Sequence, residues 1–428
     1  MADIHSIISY TISFLAIYAQ IFLLVTFFEN RKNIIKHGDE ILELSSYPTV
    51  TITVPFFNEE KTITGTIESL LALDYPRDRL SIFLIDDGSL DNTWSVVQKF
   101  ASNPQIKLFK KENGGKHTAI NLGLSMSTAE LFGCLDSDSY VHPQALKRIV
   151  NIFNNDPKTM SVAPAIRVNN PGNMLQKAQK VEYDMGIYIK KMIGFLGGIN
   201  VTPGPFSIFR KKVFDDLGPY VKAHNTEDQE IALRMQEHGY KIDHCPDAYI
   251  YTNAPSTVPK LYRQRIRWTY GSLRNIFDYR RLIFKKEYGT IGVFTLPSNL
   301  ISTFGVIFIG STVVYNVIKF IYYKFIQIQV ASISSPHFHF EWFFVDTRAT
   351  FILSIIVYIL IITSIVLGRS MTEEKHRLSP HILYFIFIYS LIAPFWIAKS
   401  VYNAIVSKES SWTLERKATT INNDIKQV

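Results

Sequence analysis

Three pairs of carboxylates stand at points where the chain changes direction. They are Asp86 and Asp87 in "FLIDDGSLDNT", Asp136 and Asp138 in "FGCLDSDSY", and Glu227 and Asp228 in "TEDQEIALRMQEHG". Each pair has an ordinary structural explanation. Thr226 is a good N-cap and acids in a first helical turn complement the helix dipole, so Glu227 and Asp228 alone read as capping. D-x-D alone describes an acidic turn equally well. In an extended segment, however, residues two apart point to the same side, which would let Asp136 and Asp138 face one site. Like charges held together are costly unless a cation or a donor-rich ligand compensates them. A hard divalent ion shared by one or two carboxylates and phosphate oxygens is the usual solution.

Two further stretches carry groups suited to phosphate and sugar. In "KENGGKHTAINLG", Gly114 and Gly115 allow a tight backbone and Lys116 opens a helix, a setting that suits a phosphate. A plain turn with a solvated lysine is the alternative. In "LYRQRIRWTYG", Gln264, Arg267 and Trp268 fall at i, i+3 and i+4 on one helix face. An arginine fork pairs with diphosphate oxygens, and an indole face stacks on a sugar ring. Arg263 and Arg265 read as solvated or facing lipid headgroups. His117, His142 and His244 are scattered, and none is read as a metal ligand.

From Pro48 to about Tyr279, short apolar runs alternate with helical patterns. "TVTITVP", "RLSIFLID", "IKLFK" and "AELFGCLD" read as strands. Helices are expected at Glu60–Leu73, after Asp91 as N-cap, and at Lys116–Ser125. This rhythm predicts an α/β fold, a mainly parallel sheet with helices on both faces. Ligands of such sheets sit outside the carboxyl ends of the strands. Asp86–Asp87 and Asp136/Asp138 end two strands there.

The chain has 428 residues, room for more than one domain, and a net charge of +8. Many basic residues cluster between Arg263 and Lys286, just before an apolar segment, as in cytoplasmic loops, so no nucleic-acid partner is expected. His5–Phe28 holds no charged residue and has the length of a bilayer span. It lacks the leading basic and trailing small residues of a cleaved signal, and Arg31, Lys32 and Lys36 follow it, so it reads as an uncleaved anchor before a cytoplasmic domain. Further spans are expected at Leu300–Tyr322, Thr350–Leu367 and His381–Val401, with Tyr288–Asn299 along or entering the interface. The positive-inside rule places 325–346 outside and "GRSMTEEKHRLSP" inside. It conflicts with counted crossings at the C-terminal tail, where Pro394 would make the last segment re-entrant. The expected division is an anchor at 1–30, a catalytic domain at 45–280, an interfacial segment with about three spans at 281–405, and a polar, disordered tail at 406–428. Two cysteines, Cys134 and Cys245, are too few for a disulfide framework and suit a reducing compartment.

Taken in order from residue 54 to 268, "VPFFNEE", "DDGSLDNT", "GGKHTAINLG", "DSD", "TED" and "QRIRW" resemble the membrane-bound processive family 2 glycosyltransferases. That group includes hyaluronan, chitin, cellulose and poly-N-acetylglucosamine synthases. The resemblance implies a GT-A catalytic domain with flanking transmembrane helices in the plasma (inner) membrane. It implies that Asp86 and Asp87 bind the uridine part of a UDP-sugar, and that Glu59 and Lys116 belong to the donor site. Asp136 and Asp138 would hold the diphosphate through Mg2+ or Mn2+. Asp228 would be the general base, with Glu227 beside it, in an inverting transfer to a growing polysaccharide. Gln264, Arg267 and Trp268 would close over the diphosphate and the acceptor end. Gly204 would line the acceptor pocket, although Pro203 and Pro205 flank it where relatives often carry a Ser-Gly or Cys-Gly pair. "SWTLERK" at 411–417 resembles a tail motif of some relatives, and a surface-bound amphipathic tail explains it as easily. The expected donor is UDP-N-acetylglucosamine. Rival readings are single-sugar transfer to a lipid phosphate, which the Q-x-x-R-W residues disfavour, and a non-catalytic export subunit, which the full set of acids disfavours.

Overall fold

The computed structural model describes residues 4–34, 42–330, 349–372 and 378–406. Lys36, most of 325–346, part of "GRSMTEEKHRLSP" and the tail with "SWTLERK" lie outside the described residues. The run "VTITVPF" forms β1 (Val50–Phe56), whose seven residues are all buried. An unbroken apolar strand of this kind needs cover on both faces, which places it at the centre of a sheet. β2 (Leu80–Asp86) and β4 (Leu131–Cys134) flank it in parallel, and β3 (Ile106–Lys110) pairs with β2. The order β3-β2-β1-β4-β7-β6-β8-β5 completes an eight-stranded sheet with β5 (Ser139–Val141), β6 (Thr159–Val168), β7 (Ile208–Arg210) and β8 (Lys241–Thr252). The expected parallel character holds from β3 to β4 and between β6 and β8. It fails where β7 runs antiparallel to β4 and β6, and where β5 runs antiparallel to β8, so the sheet is mixed. These antiparallel pairings join segments distant in the chain, with α6 between β6 and β7 and several elements between β5 and β8.

The chain leaves β1 for β2 on one side and later returns to its other side as β4. This reversal opens a crevice at the carboxyl ends of β1, β2 and β4. The connecting helices are α2 (Ile63–Leu71), α3 (Thr93–Gln98), α4 (Lys116–Met126), α5 (Ala145–Asn155), α7 (Lys212–Leu217) and α8 (Glu227–Glu237). Helix α2 starts three residues later than the periodicity predicts. Asp91 does not cap α3 as N-cap; that position is Asn92, while Asp91 accepts the Thr93 amide at 3.0 Å.

Helix α6 (Met174–Phe195) begins with a capping box in which Asn173 and Gln176 satisfy each other's backbone amides. Its Ala178 and Val181 pack with Ile365, Ile382 and Phe385. Its Tyr188 and Met192 pack with Leu23 and Met371. These partners belong to α1 (Ile4–Asn30), α11 (Ala349–Met371) and α12 (His381–Ile405), so α6 joins the sheet domain to the apolar helices. Helix α9 (Val258–Asp278) follows β8, and α10 (Leu296–Val330) follows a short π-helical turn at Ile291–Thr295.

Among the described residues, four helical segments are long and apolar enough to cross a membrane: Ile4–Asn33, Ile291–Gln327, Phe351–Met371 and His381–Ile405. The Tyr288–Asn299 stretch runs on into α10, and its Ile291 and Leu296 are buried against Leu233, Ile276 and Leu282. One sequence expectation is corrected here. Pro394 does not break the last segment, because α12 continues through it. The ring packs against Gly310, where an added Cβ would meet Pro394 Cβ at 2.5 Å.

Candidate active site

Each pair of acids is positioned by a different element. Asp86 ends β2 fully buried, with one carboxylate oxygen accepting the Ser89 amide at 2.7 Å. Its other oxygen, Oδ2, has no hydrogen-bond donor, and Lys110 Nζ stands 3.9 Å away. Asp87 turns instead to the glycine loop. It accepts from the amides of Gly114 at 2.9 Å and Gly115 at 2.8 Å, and from Lys111 Nζ at 2.8 Å. Gly115 has φ of +93°, a conformation that L side chains rarely adopt. The loop is thereby fixed, and α4 starts with Lys116 aimed at the crevice.

Asp136 and Asp138 lie in a turn between β4 and β5, not on an extended strand, so alternation along a strand is not what brings them together. The turn is pinned from both sides. Thr66 of α2 donates to Ser137 O at 2.9 Å, Ser69 accepts the Val141 amide at 3.1 Å, and Asn253 donates to Asp138 O at 3.3 Å. Burial pushes the Asp138 carboxyl up to about 6, with Asp136 and Glu59 adding like charge. Glu59 is also raised by burial, although Thr62 donates to it at 2.7 Å.

Lys116 joins the second and third pairs. Its ammonium lies 2.7 Å from Asp136 Oδ1 and 3.2 Å from Glu227 Oε1. Burial opposes that charge, but Asp136 and Glu227 outweigh it and hold the ammonium well above its usual range. Burial likewise opposes the charge of Glu227, and Lys116, helped by Arg267, keeps the carboxyl below its ordinary value. Asp228 has the opposite outcome. Burial and the neighbouring Glu227 raise it to about 6, against the pull of Lys116. A carboxyl held near 6 beside a permanently charged neighbour has the character of a proton acceptor at neutral pH.

The start of α8 is not capped as expected. The Thr226 side chain makes no capping bond; it donates to Ala223 O at 3.2 Å and accepts from Asn275 Nδ2 at 2.9 Å. Asn275 also donates to Thr226 O at 3.0 Å, and Gly271, one turn earlier on α9, leaves space that a Cβ would fill against Thr226. Asp228 Oδ1 accepts the Gln229 amide at 3.0 Å, and its backbone carbonyl accepts from Thr202 Oγ1 at 2.9 Å. The opening acids of α8 are therefore held by α9 and by the 202–207 segment.

A small cavity of about 10 Å3 lies among Cys134, Thr202, Gly204, Tyr220, Glu227 and Asp228. Gly204 is packed so closely that an added Cβ would meet Lys116 Nζ at 2.8 Å. Gln264, Arg267 and Trp268 stand half-buried on α9, and Gln264 Oε1 has no donor. Arg267 contributes charge to Glu227, and the Trp268 ring carries the Arg265 guanidinium at 4.5 Å. The expectation of a solvated Arg265 is overturned: it is 7% exposed and pairs with Glu182.

Lys116 brings Asp136 and Glu227 together, whereas Asp86 and Asp87 face Lys110 and Lys111. Asn275, Thr202 and Lys190 were not found from the sequence. Burial pulls Lys190 of α6 down to about 8, against Asp228. Gly271 and Asn275, at i and i+4 on the Q-x-x-R-W helix, are the signal that could have revealed α9 as the support of α8.

The donor chemistry fits a hard divalent cation. Among the described residues no group of three or more His, Cys, Asp or Glu forms a ready metal cage. Asp136 and Asp138 are two carboxylates of the type that would suit Mg2+ together with phosphate oxygens.

Residues 51–218 match the family model "Glycosyl transferase family 2". The chain is 32% identical over 224 residues to a poly-beta-1,6-N-acetyl-D-glucosamine synthase of Staphylococcus epidermidis, covering 52% of this chain and 54% of that one. It is 32% identical over 235 residues to the Staphylococcus aureus (strain COL) protein of the same description, covering 54% and 57%. The chain thus spans little more than half the length of the curated relatives it matches. Among solved structures, the mannosyltransferase PcManGT from Pyrobaculum calidifontis, in complex with GDP-Man and Mn2+, superposes with a TM-score of 0.59 at 17% identity. That match covers 93% of this chain and 100% of the other, and it shows a shared GT-A fold.

Proposed function

Residues 51–218 belong to glycosyl transferase family 2, and from that premise we propose that this protein transfers N-acetylglucosamine from UDP-N-acetylglucosamine onto a growing β-linked polysaccharide. The observation that carries the reading is the meeting of Asp136, Glu227 and Asp228 around Lys116 at the carboxyl end of the sheet. Asp86 binds the uridine part through its donor-free Oδ2, and Asp87 contributes by fixing the Gly114–Gly115 loop. Asp136 and Asp138, with Glu59 nearby, would hold Mg2+ or Mn2+. When bound, the cation would supply neutralisation of the negative charge on the leaving diphosphate.

Asp228 takes the proton from an acceptor hydroxyl. The hydroxyl oxygen bonds to the anomeric carbon as the bond to UDP breaks on the opposite face, and the configuration inverts from α to β. A base within hydrogen-bond reach typically contributes about 10²- to 10⁴-fold. Glu227 stays charged and holds Lys116 in place. Gln264 and Arg267 meet the diphosphate, and Trp268 and Gly204 border the acceptor sugar. In this reading the sheet domain faces the cytoplasm and the chain is a multi-pass protein of the plasma (inner) membrane; supporting it are four helices among the described residues that are long and apolar enough to cross a bilayer.

The test uses membranes containing the full chain, incubated with single UDP-sugars and Mg2+ or Mn2+. UDP release and a product of many sugars from UDP-N-acetylglucosamine are expected. A product extended by one sugar contradicts processive synthesis, and absence of turnover with every UDP-sugar contradicts catalysis.

A further inference from the structure

Helix α9 touches the apolar helix α12 at three levels. Tyr262 Oη donates to Phe395 O at 3.4 Å, and Ser400 Oγ donates to Ile266 O at 3.4 Å. Between them, Arg265 Nη2 reaches Glu182 Oε2 of α6 at 2.5 Å and Tyr389 Oη of α12 at 3.4 Å. Tyr389 in turn donates to the same Glu182 oxygen at 2.5 Å. The other face of this cluster is aromatic. The Arg265 guanidinium lies 4.5 Å from the Trp268 ring centroid, and the Tyr389 ring meets Trp396 edge-on at 5.6 Å.

None of these groups has an obvious role in proton transfer or diphosphate binding. A buried cation, an acid and a phenol in apolar surroundings are expensive unless they satisfy one another. Here they do so across three helices, two of which belong to different parts of the molecule. The guanidinium is planar, so its Nη2 can serve both Glu182 and Tyr389 while its face covers the indole. Trp268 cannot turn about its side-chain bonds without giving up that contact.

We propose that Arg265 is a positioning residue, which with Glu182 and Tyr389 fixes Trp268 and locks the acceptor-binding face of α9 to the apolar helix α12. The inference rests on the reading of Trp268 as an acceptor-side residue. Its consequence is a division of labour: losing the lock leaves the donor site intact but lets the acceptor end of the chain drift. Activated sugar then passes to water, releasing UDP and free N-acetylglucosamine, instead of to the polymer.

The test uses the full chain in membranes with UDP-N-acetylglucosamine and Mn2+. Arg265→Lys keeps the charge beside Glu182 and removes the flat face, so it retains the fold that Arg265→Gln could lose. Expected for Arg265→Lys are a donor KM within about twofold of the unaltered protein and polymer synthesis slowed by about tenfold. The share of consumed donor appearing as free sugar rises. Tyr389→Phe changes the same partition in the same direction by a smaller factor. Unchanged synthesis and partition in Arg265→Lys overturn the proposal, as does a loss of donor binding in parallel with synthesis, which a merely structural role would give. Asp228→Asn run alongside separates the two claims: if it retains synthesis, the reading of the site fails, whatever Arg265→Lys does.

Discussion

Asp228 stands beside Glu227, and Lys116 bears on both, so a change at the ammonium is felt at the carboxyl proposed to accept the proton. A base works only when deprotonated. With Asp228 raised to about 6, kcat/KM is expected to fall as pH drops through 6 and to level off above it. A rate profile in the free-enzyme regime checks this, and a limb near pH 4 would contradict it. Gly204→Ala offers a sharper version. The new Cβ would stand 2.8 Å from Lys116 Nζ, whose flexible end can move away at little cost to the fold. Moving it weakens the pull that holds Asp228 down, so the acid limb should shift to higher pH while the melting temperature stays nearly unchanged. The acids were legible as candidates because paired carboxylates at strand and helix ends are conspicuous. Their common partner was not, because Lys116 meets Asp136 and Glu227 only after three distant segments fold together.

Among the elements, α9 serves twice. The face that carries Gln264, Arg267 and Trp268 runs on to Gly271 and Asn275, which hold the entry to α8. The sequence suggested that Thr226 caps α8; its hydroxyl is instead spent on Ala223 and Asn275, and the helix starts without a side-chain cap. Asn275→Ala would remove both bonds that α9 gives Thr226, leaving its Oγ1 without a donor while its carbonyl keeps the Gln229 and Glu230 amides, at about 1–3 kcal/mol of stability. Transfer should fall with it, because Glu227 and Asp228 follow Thr226 directly; a melting curve and a rate measurement on the same preparation check both. The β1, β2 and β4 strands were legible from their apolar runs, whereas the antiparallel placement of β7 and β5 depends on long-range pairing that short segments do not encode. At the α10–α12 crossing, Gly310→Val would drive a side chain into the Pro394 ring. Lower yield and a lower thermal midpoint in detergent are expected, since close crossings of apolar helices need small residues.

For the whole molecule, the sheet domain and the apolar helices are tied together by α6 and α9, so the candidate site is held against the apolar helices. The four apolar segments were legible from hydropathy alone, but the continuity of α12 through Pro394 was not, because neighbouring helices can accommodate a proline that composition marks as a break. The protein is expected to stay with membranes through an alkaline wash and to leave them only in detergent. The most direct test of the central claim compares unaltered protein and Asp228→Asn in such membranes, each given UDP-N-acetylglucosamine and Mn2+, with UDP binding measured on both. The account predicts polymer and UDP release from the first, and UDP binding with synthesis reduced by at least about 10²-fold from the second. Synthesis at comparable rates by both would contradict it.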